Sequence, residues 1–299
     1  MSTKYVALAL LAIAACGPSD KTRPGGGNGP DANGGGGGGG GGGGSGSDGC
    51  SDAAKLVYTV DQNNKFSQFD PSTKTFHDLG TLSCPAGFGA TPFSMGVDRN
   101  TIAWVLYSDG SLYRVDIQSN LACTKTNWHS TSNLTQFGMG FSTNTSGGTD
   151  DTLFVAGGSS VGTGTTSTLA KLDTTAFTAM NVGSVNGWPE LTGTGAAELW
   201  GWFPSDMNGQ TTPSVQKLDK TNGHAVTTYM LPTLKGMPTA WAFAFWGGDF
   251  WIFLQKDLET STTVYQIDGS NGSIKGMTAA SGYTIVGAGV STCAPIVIQ

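Results

Sequence analysis

One phrase recurs five times along this 299-residue chain: alternating apolar residues that end on aspartate and run into a small polar turn. It ends at Asp70, Asp116, Asp173, Asp219 and Asp268, at spacings of 46, 57, 46 and 49 residues. A second phrase, rich in glycine and aromatic residues, lies at 93–97, 137–141, 188–192 and 241–245, each copy ahead of an aspartate phrase. A further copy, 283–287, follows the last aspartate. Alternating runs at 56–60, 102–107 and 111–115 are set off by turn pairs such as Asp109-Gly110, Asn208-Gly209, Asn222-Gly223 and Asn271-Gly272. Segments of helical period are hard to find, so the pattern is one of short strands and tight turns.

Repeats of about 40–50 residues with four short strands each point to an all-β fold of radial blades, a β-propeller. With strands A to D counted outward from the axis, the glycine-rich phrase is A, the aspartate phrase is C, and segments such as 75–79 are D. The first unit opens at B, near Lys55, and lacks an A strand; the orphan copy at 283–287 supplies it. The expectation is a five-bladed β-propeller with four-stranded blades, its ring closed by the C-terminal strand completing the N-terminal blade. Glycine in the A strands suits a narrow axis where backbones approach closely. The aspartate phrase with its turn, as in Asp219-Lys220-Thr221-Asn222-Gly223, is similar to the strand-and-turn unit of quinoprotein-like propellers. The repeated Asp is expected to cap its own turn with its side chain, not to form a ring of carboxylates.

The propeller is expected to occupy residues 50–299. Ahead of it, Lys4 and an eleven-residue apolar stretch from Tyr5 to Ala15 run into Ile13-Ala14-Ala15-Cys16. The stretch has the length of a signal-peptide core and is too short to span a bilayer. Its end resembles the bacterial lipobox, which implies cleavage after residue 15 and lipid on the Cys16 thiol. Gly17 stands where aspartate would retain such a protein at the inner membrane, so export to the outer membrane is expected, with the side left open. Residues 16–49 then hold the bulk of a glycine-rich stretch with an unbroken run from Gly34 to Gly44. Such a segment has nothing to bury and reads as a flexible tether.

Four cysteines follow: Cys50, Cys84, Cys123 and Cys293. An even number in an exported chain suggests disulfides, and four allow three connectivities. In the propeller, Cys293 follows the last A strand and Cys50 precedes the first B strand, which makes them neighbours across an antiparallel pair. That leaves Cys84 and Cys123, on outer segments of adjacent blades, as a second pair if they sit at one height; free thiols or zinc ligands are the alternatives.

The whole pattern resembles a group of uncharacterised bacterial lipoproteins of the myxobacterial kind that carry a glycine-rich linker. The resemblance rests on the lipobox, Cys84, Met95-Gly96-Val97-Asp98-Arg99, Gly110-Ser111-Leu112-Tyr113-Arg114-Val115, Cys123 and Phe137-Gly138-Met139-Gly140-Phe141. It covers most of the chain and brings no known activity.

Chemistry is sparse. A net charge of −6, with Lys and Arg totalling 15, lacks the footprint of a nucleic-acid binder. His77, His129 and His224 are scattered, and no nucleotide, zinc-protease, nucleophile-elbow or EF-hand motif is present. Propellers that hold a quinone need more blades, and ligands for it are not evident, so no cofactor is expected. No catalytic residue and no metal ligand is assigned. Glu190 is the one acid inside an A strand. A carbohydrate-active hydrolase or lyase is therefore the alternative reading, although such an enzyme needs paired carboxylates at a defined separation. Long connections at 157–167, 203–212 and 256–262 are all B–C loops on one rim, where binding usually sits. Candidate ligand residues there are Trp128, His129, Trp188, Glu190, Trp202, Asp206 and Asp257. The leading expectation is a monomeric, membrane-anchored, non-catalytic module that binds a protein or glycan at the cell envelope.

Overall fold

The structure, a computed structural model, describes residues 50–130, 134–162, 165–280 and 282–297. The expected signal sequence, Cys16 and the expected tether at 16–49 lie outside the described residues.

The chain forms five four-stranded antiparallel sheets, as the repeat predicts. The first blade joins β20 (Ile285–Gly289) to β1 (Val57–Asp61), β2 (Lys65–Asp70) and β3 (Thr75–Thr81). The second is β4 (Pro92–Val97), β5 (Ile102–Tyr107), β6 (Leu112–Asp116) and β7 (Ala122–Lys125). The third is β8 (Gln136–Thr143), β9 (Asp151–Gly158), β10 (Thr166–Leu172) and β11 (Ala179–Asn186). The fourth is β12 (Glu190–Gly193), β13 (Leu199–Phe203), β14 (Ser214–Leu218) and β15 (Ala225–Met230). The fifth is β16 (Pro238–Trp246), β17 (Asp249–Lys256), β18 (Thr262–Asp268) and β19 (Ile274–Ala280). The inner strands neighbour one another in the order β20, β4, β8, β12, β16 and back to β20, a closed ring.

Burial explains the strand sequences. Both faces of the second strand of a blade are covered by adjacent blades, so β5 reads as an unbroken apolar run, and β1 is buried throughout, Thr59 and Asp61 included. Outer strands such as β3 and β15 are largely exposed and carry polar residues. Five core clusters lie one between each pair of adjacent blades, and a small sixth gathers Cys50, Ala54 and Cys293. Between the fifth and first blades, for example, Phe69 meets Trp251 and Phe253 edge-on, each at 5.3 Å.

The repeated aspartates cap their turns. The Asp70, Asp116, Asp173, Asp219 and Asp268 Oδ1 atoms each accept the backbone N–H two residues on. The ring closes through β1 and β20, with Tyr58 opposite Gly289 and Val60 opposite Gly287. Cys50 and Cys293 form a disulfide with Cα atoms 5.9 Å apart. Cys84 and Cys123 form a second, at 5.2 Å; Cys123 lies in β7, whereas Cys84 lies past the end of β3 in the connection to β4.

The two faces of the ring differ. One carries the A–B and C–D turns together with the segments flanking β1 and β20. After β20 the chain runs through buried residues Val290, Ser291, Thr292, Cys293 and Ala294. Ser291 Oγ donates to Ala54 O at 2.6 Å, Thr292 Oγ1 donates to Asp151 Oδ2 at 2.7 Å, and Arg99 donates to Thr292 Oγ1 at 3.0 Å. Gly247 N donates to Pro295 O at 2.7 Å, and Gly195 lies against Thr292 O. These contacts reach all five blades, so the C-terminal segment crosses the end of the axis on this turn face.

The opposite face carries the B–C and D–A connections. Its three longest, 82–91, 126–135 and 204–213, run for ten residues each. The first two are D–A connections, so long loops are not confined to B–C as the sequence suggested; both kinds emerge on this loop face.

Candidate functional site

The loop face holds a groove of about 520 Å³ between the third and fourth blades. Its walls come from the β9–β10 connection (Val161, Gly162, Thr165), the end of β11 (Asn186) with Gly187 and Trp188, and the β13–β14 connection from Pro204 to Thr212. Gln216 of β14 and Trp241 of β16 complete it. Trp188 is half-buried and packs on Gly158, where a Cβ would stand 2.8 Å from the indole ring.

The groove is braced by its own polar atoms. Ser205 Oγ donates to Thr211 O at 2.8 Å and accepts from Gly236 N at 3.3 Å, tying two loops together. Asp206 Oδ1 accepts the N–H groups of Gln210 and Thr211. The Thr211 and Gln210 amides hold the Asp206 carboxyl below the usual carboxylate range. Its first role is thus to shape the loop. Val161 N donates to Gln136 Oε1 at 3.0 Å, which fixes the wall from the β9–β10 connection to β8.

Of the seven sequence-predicted rim residues, the groove brings together Trp188 and Asp206. His129 and Asp257 are exposed on other loops of the same face. The remaining three point inward. Trp128 meets Phe137 edge-on at 5.9 Å within a core cluster, and Trp202 is fully buried between the fourth and fifth blades. The indole N–H groups of both have no hydrogen-bond partner among the described residues, so each contributes ring volume and no polar contact. By contrast Trp104 and Trp200, near the turn face, donate to Asp98 and Glu198, each at 3.0 Å. Sequence reasoning missed Phe203, Asn186 and Gln216 as groove residues. They sit in strands and belong to the site only because two blades meet there.

Glu190, the axial acid, is 3% exposed. Ser94 Oγ of β4, two blades away in the ring, donates to its Oε2 at 2.8 Å, and Met139 N of β8 also donates to the carboxyl. Burial pushes the Glu190 carboxyl well above the ordinary value of 4.5, outweighing both donors. These partners are a hydroxyl and an amide, and the group is closed to solvent, so the pair of accessible carboxylates that glycoside hydrolysis requires is not built around it.

A pH dependence follows. Native Glu190 keeps a proton that the unfolded chain releases near 4.5, so its stability contribution is full below that pH and falls as pH rises toward the native-state value. Glutamine has no proton to lose. E190Q should therefore melt higher than wild type at pH 7.5, with the difference shrinking toward zero at pH 4. Calorimetric melts across that range check it; a difference that stays constant with pH would show that Glu190 is ionised in the native ring.

Among the described residues, no group of three or more His, Cys, Asp and Glu side chains could hold a metal ion, and no helix is long and apolar enough to cross a membrane. No protein-family model and no curated protein matches the chain. Solved structures with a similar path include a chain of a nidogen/laminin complex (TM-score 0.49, 10% identity, covering 78% of this chain and 97% of that one). They also include a protein of unknown function from Bacteroides caccae (0.40, 12%, 75% and 73%). An exo-β-1,3-galactanase from Phanerochaete chrysosporium, crystallised with β-1,3-galactotriose, is a third (0.45, 11%, 75% and 54%). These likenesses assign neither partner nor activity.

Proposed function

We propose that the chain is an exported, lipid-anchored recognition module that engages an envelope partner through its loop face and performs no catalysis. The asymmetry of the two faces carries this reading. The turn face is crossed by the C-terminal segment, while the loop face has the longest connections, the groove, and the fully exposed Phe88 and nearly fully exposed Leu258 at loop tips. Apolar side chains left in solvent on one rim of a rigid ring are what an interaction surface presents. The lipobox and leash would hold that surface off a membrane, and two disulfides suit an oxidising compartment.

Fractionation tests it. The wild-type chain should sediment with outer membranes, and C16S should move to the soluble fraction. C16S should then be retained by isolated envelope material. F88S and L258S should weaken retention, and M277S, on outer strand β19, should not. Equal retention of all variants, or hydrolytic turnover of envelope polysaccharide by the chain, would overturn the reading.

A further inference from the structure

We infer that the groove between the third and fourth blades is a binding site for a neutral oligosaccharide, an assignment that rests on the recognition reading above. Three observations carry it.

The first is the chemical balance of the lining. Trp188, Trp241, Phe203 and Met207 supply apolar surface, while Asn186, Asn208 and Gln216 supply amides beside several threonine hydroxyls. A sugar ring presents the same mixture: an apolar face of C–H groups and a rim of hydroxyls that both donate and accept. Indole rings cover the first, and side-chain amides match the second because they too donate and accept.

The second is charge. No Lys, Arg or His is among the described residues of the lining, and its one carboxylate, Asp206, already accepts two loop amides. An anionic ligand would enter a lining that holds a carboxylate and no cation, in a chain of net charge −6; Lys235, outside the lining, lies close enough to favour the Asp206 charge. A phosphate, sulfate or uronate is thereby disfavoured, and an uncharged ligand is not.

The third is shape and rigidity. About 520 Å³ falls within the span of small-ligand pockets, roughly 300–1,000 Å³. The bonds from Ser205, Asp206 and Val161 fix the walls before any ligand arrives, which lowers the ordering cost of binding. A peptide adding to a sheet needs a free strand edge. The sheet edges here are the outer strands β11 and β15 and the axial strands β8 and β12; only Asn186, the last residue of β11, reaches the groove, whose other lining residues come from loops and from β13, β14 and β16.

The test is an array of neutral gluco-, manno- and galacto-configured oligosaccharides beside sulfated and uronate ones, probed with the chain carrying C16S, followed by titration calorimetry on the hits. Neutral oligosaccharides should bind and anionic ones should not. Removing the Trp188 ring in W188A should weaken binding about tenfold. The exposed N186A, which disturbs no core contact, should weaken it severalfold at an unchanged melting temperature, so a folding defect in W188A cannot mimic the result. F88S, on the same face but outside the groove, should bind the sugar normally. Binding confined to anionic glycans, or neutral binding untouched by both W188A and N186A, overturns the site. No glycan binding while envelope retention persists and depends on Phe88 and Leu258 overturns the sugar and leaves a protein-binding module. Loss of both kinds of binding overturns the recognition reading itself.

Discussion

Replacing Cys50 and Cys293 together by serine should lower the unfolding free energy by about 5 kcal/mol, a large share of the roughly 5–15 kcal/mol that holds a native domain together. The two residues are 243 apart in sequence, so the bond removes most of the freedom the unfolded chain would otherwise have at its ends. Its location adds to this. It ties the segment leading into β1 to the segment leaving β20, the two strands whose pairing completes the ring. Without it, closure depends on the β1–β20 ladder and on the Ser291, Thr292 and Arg99 hydrogen bonds across the turn face. The Cys84–Cys123 pair, separated by 39 residues, is the internal control. Loop-closure entropy grows only with the logarithm of length, so its removal should cost about 1–2 kcal/mol less. Urea unfolding of the two double-serine variants measures both. A loss below 1 kcal/mol for the Cys50–Cys293 variant would place ring closure on the strand pairing alone.

The blades were legible because their periodicity is local. An aspartate that caps its own turn and an apolar alternation that ends on it need nothing from elsewhere in the chain. The turns confirm this: Lys74, Phe177, Gly223 and Gly272, each four residues past the aspartate or its equivalent, take positive φ to reverse the chain. Ring closure was legible too, since an orphan inner strand at one end answered a missing one at the other. The groove was not. It gathers residues near 161, 186, 204 and 241, and no stretch of sequence records that these meet. The tryptophans misled for a related reason. A Trp on a loop and a Trp under the next blade have the same composition signature, and only the packing makes Trp188 a wall and Trp202 a filler. The crossing of residues 290–294 over the axis was equally hidden, because a short segment gains its role from contacts contributed by five different blades.

Gly138→Ala should destabilise the ring by about 3 kcal/mol, while Gly96→Ala should cost well under 1. Both glycines lie in inner strands, and neither is needed for an unusual backbone angle; space is the whole issue. A Cβ on Gly138 would sit 2.2 Å from Pro189 O and 2.8 Å from Glu190 Cα. Those atoms are backbone of the neighbouring blade and cannot rotate away, so β8 and β12 must part. A Cβ on Gly96 would meet Met139 Cγ at 3.3 Å, the stem of a flexible side chain that can give by a few tenths of an ångström. The contrast comes from ring size. With five blades the inner strands are crowded, and the same crowding recurs at Gly193, where a Cβ would fall 2.1 Å from Phe141 O. Parting β8 from β12 also pulls Glu190 away from its two donors, Met139 in the neighbouring strand β8 and Ser94 two blades away. Gly138→Ala should then admit solvent to that carboxyl and flatten the pH dependence that Glu190 imposes on the melting temperature. Urea titrations of both variants, with melts at pH 4 and pH 7.5, test the two consequences together. If Gly138→Ala is as stable as Gly96→Ala, the inner strands have slack, and neither the tight axis nor the sealed carboxyl can be sustained.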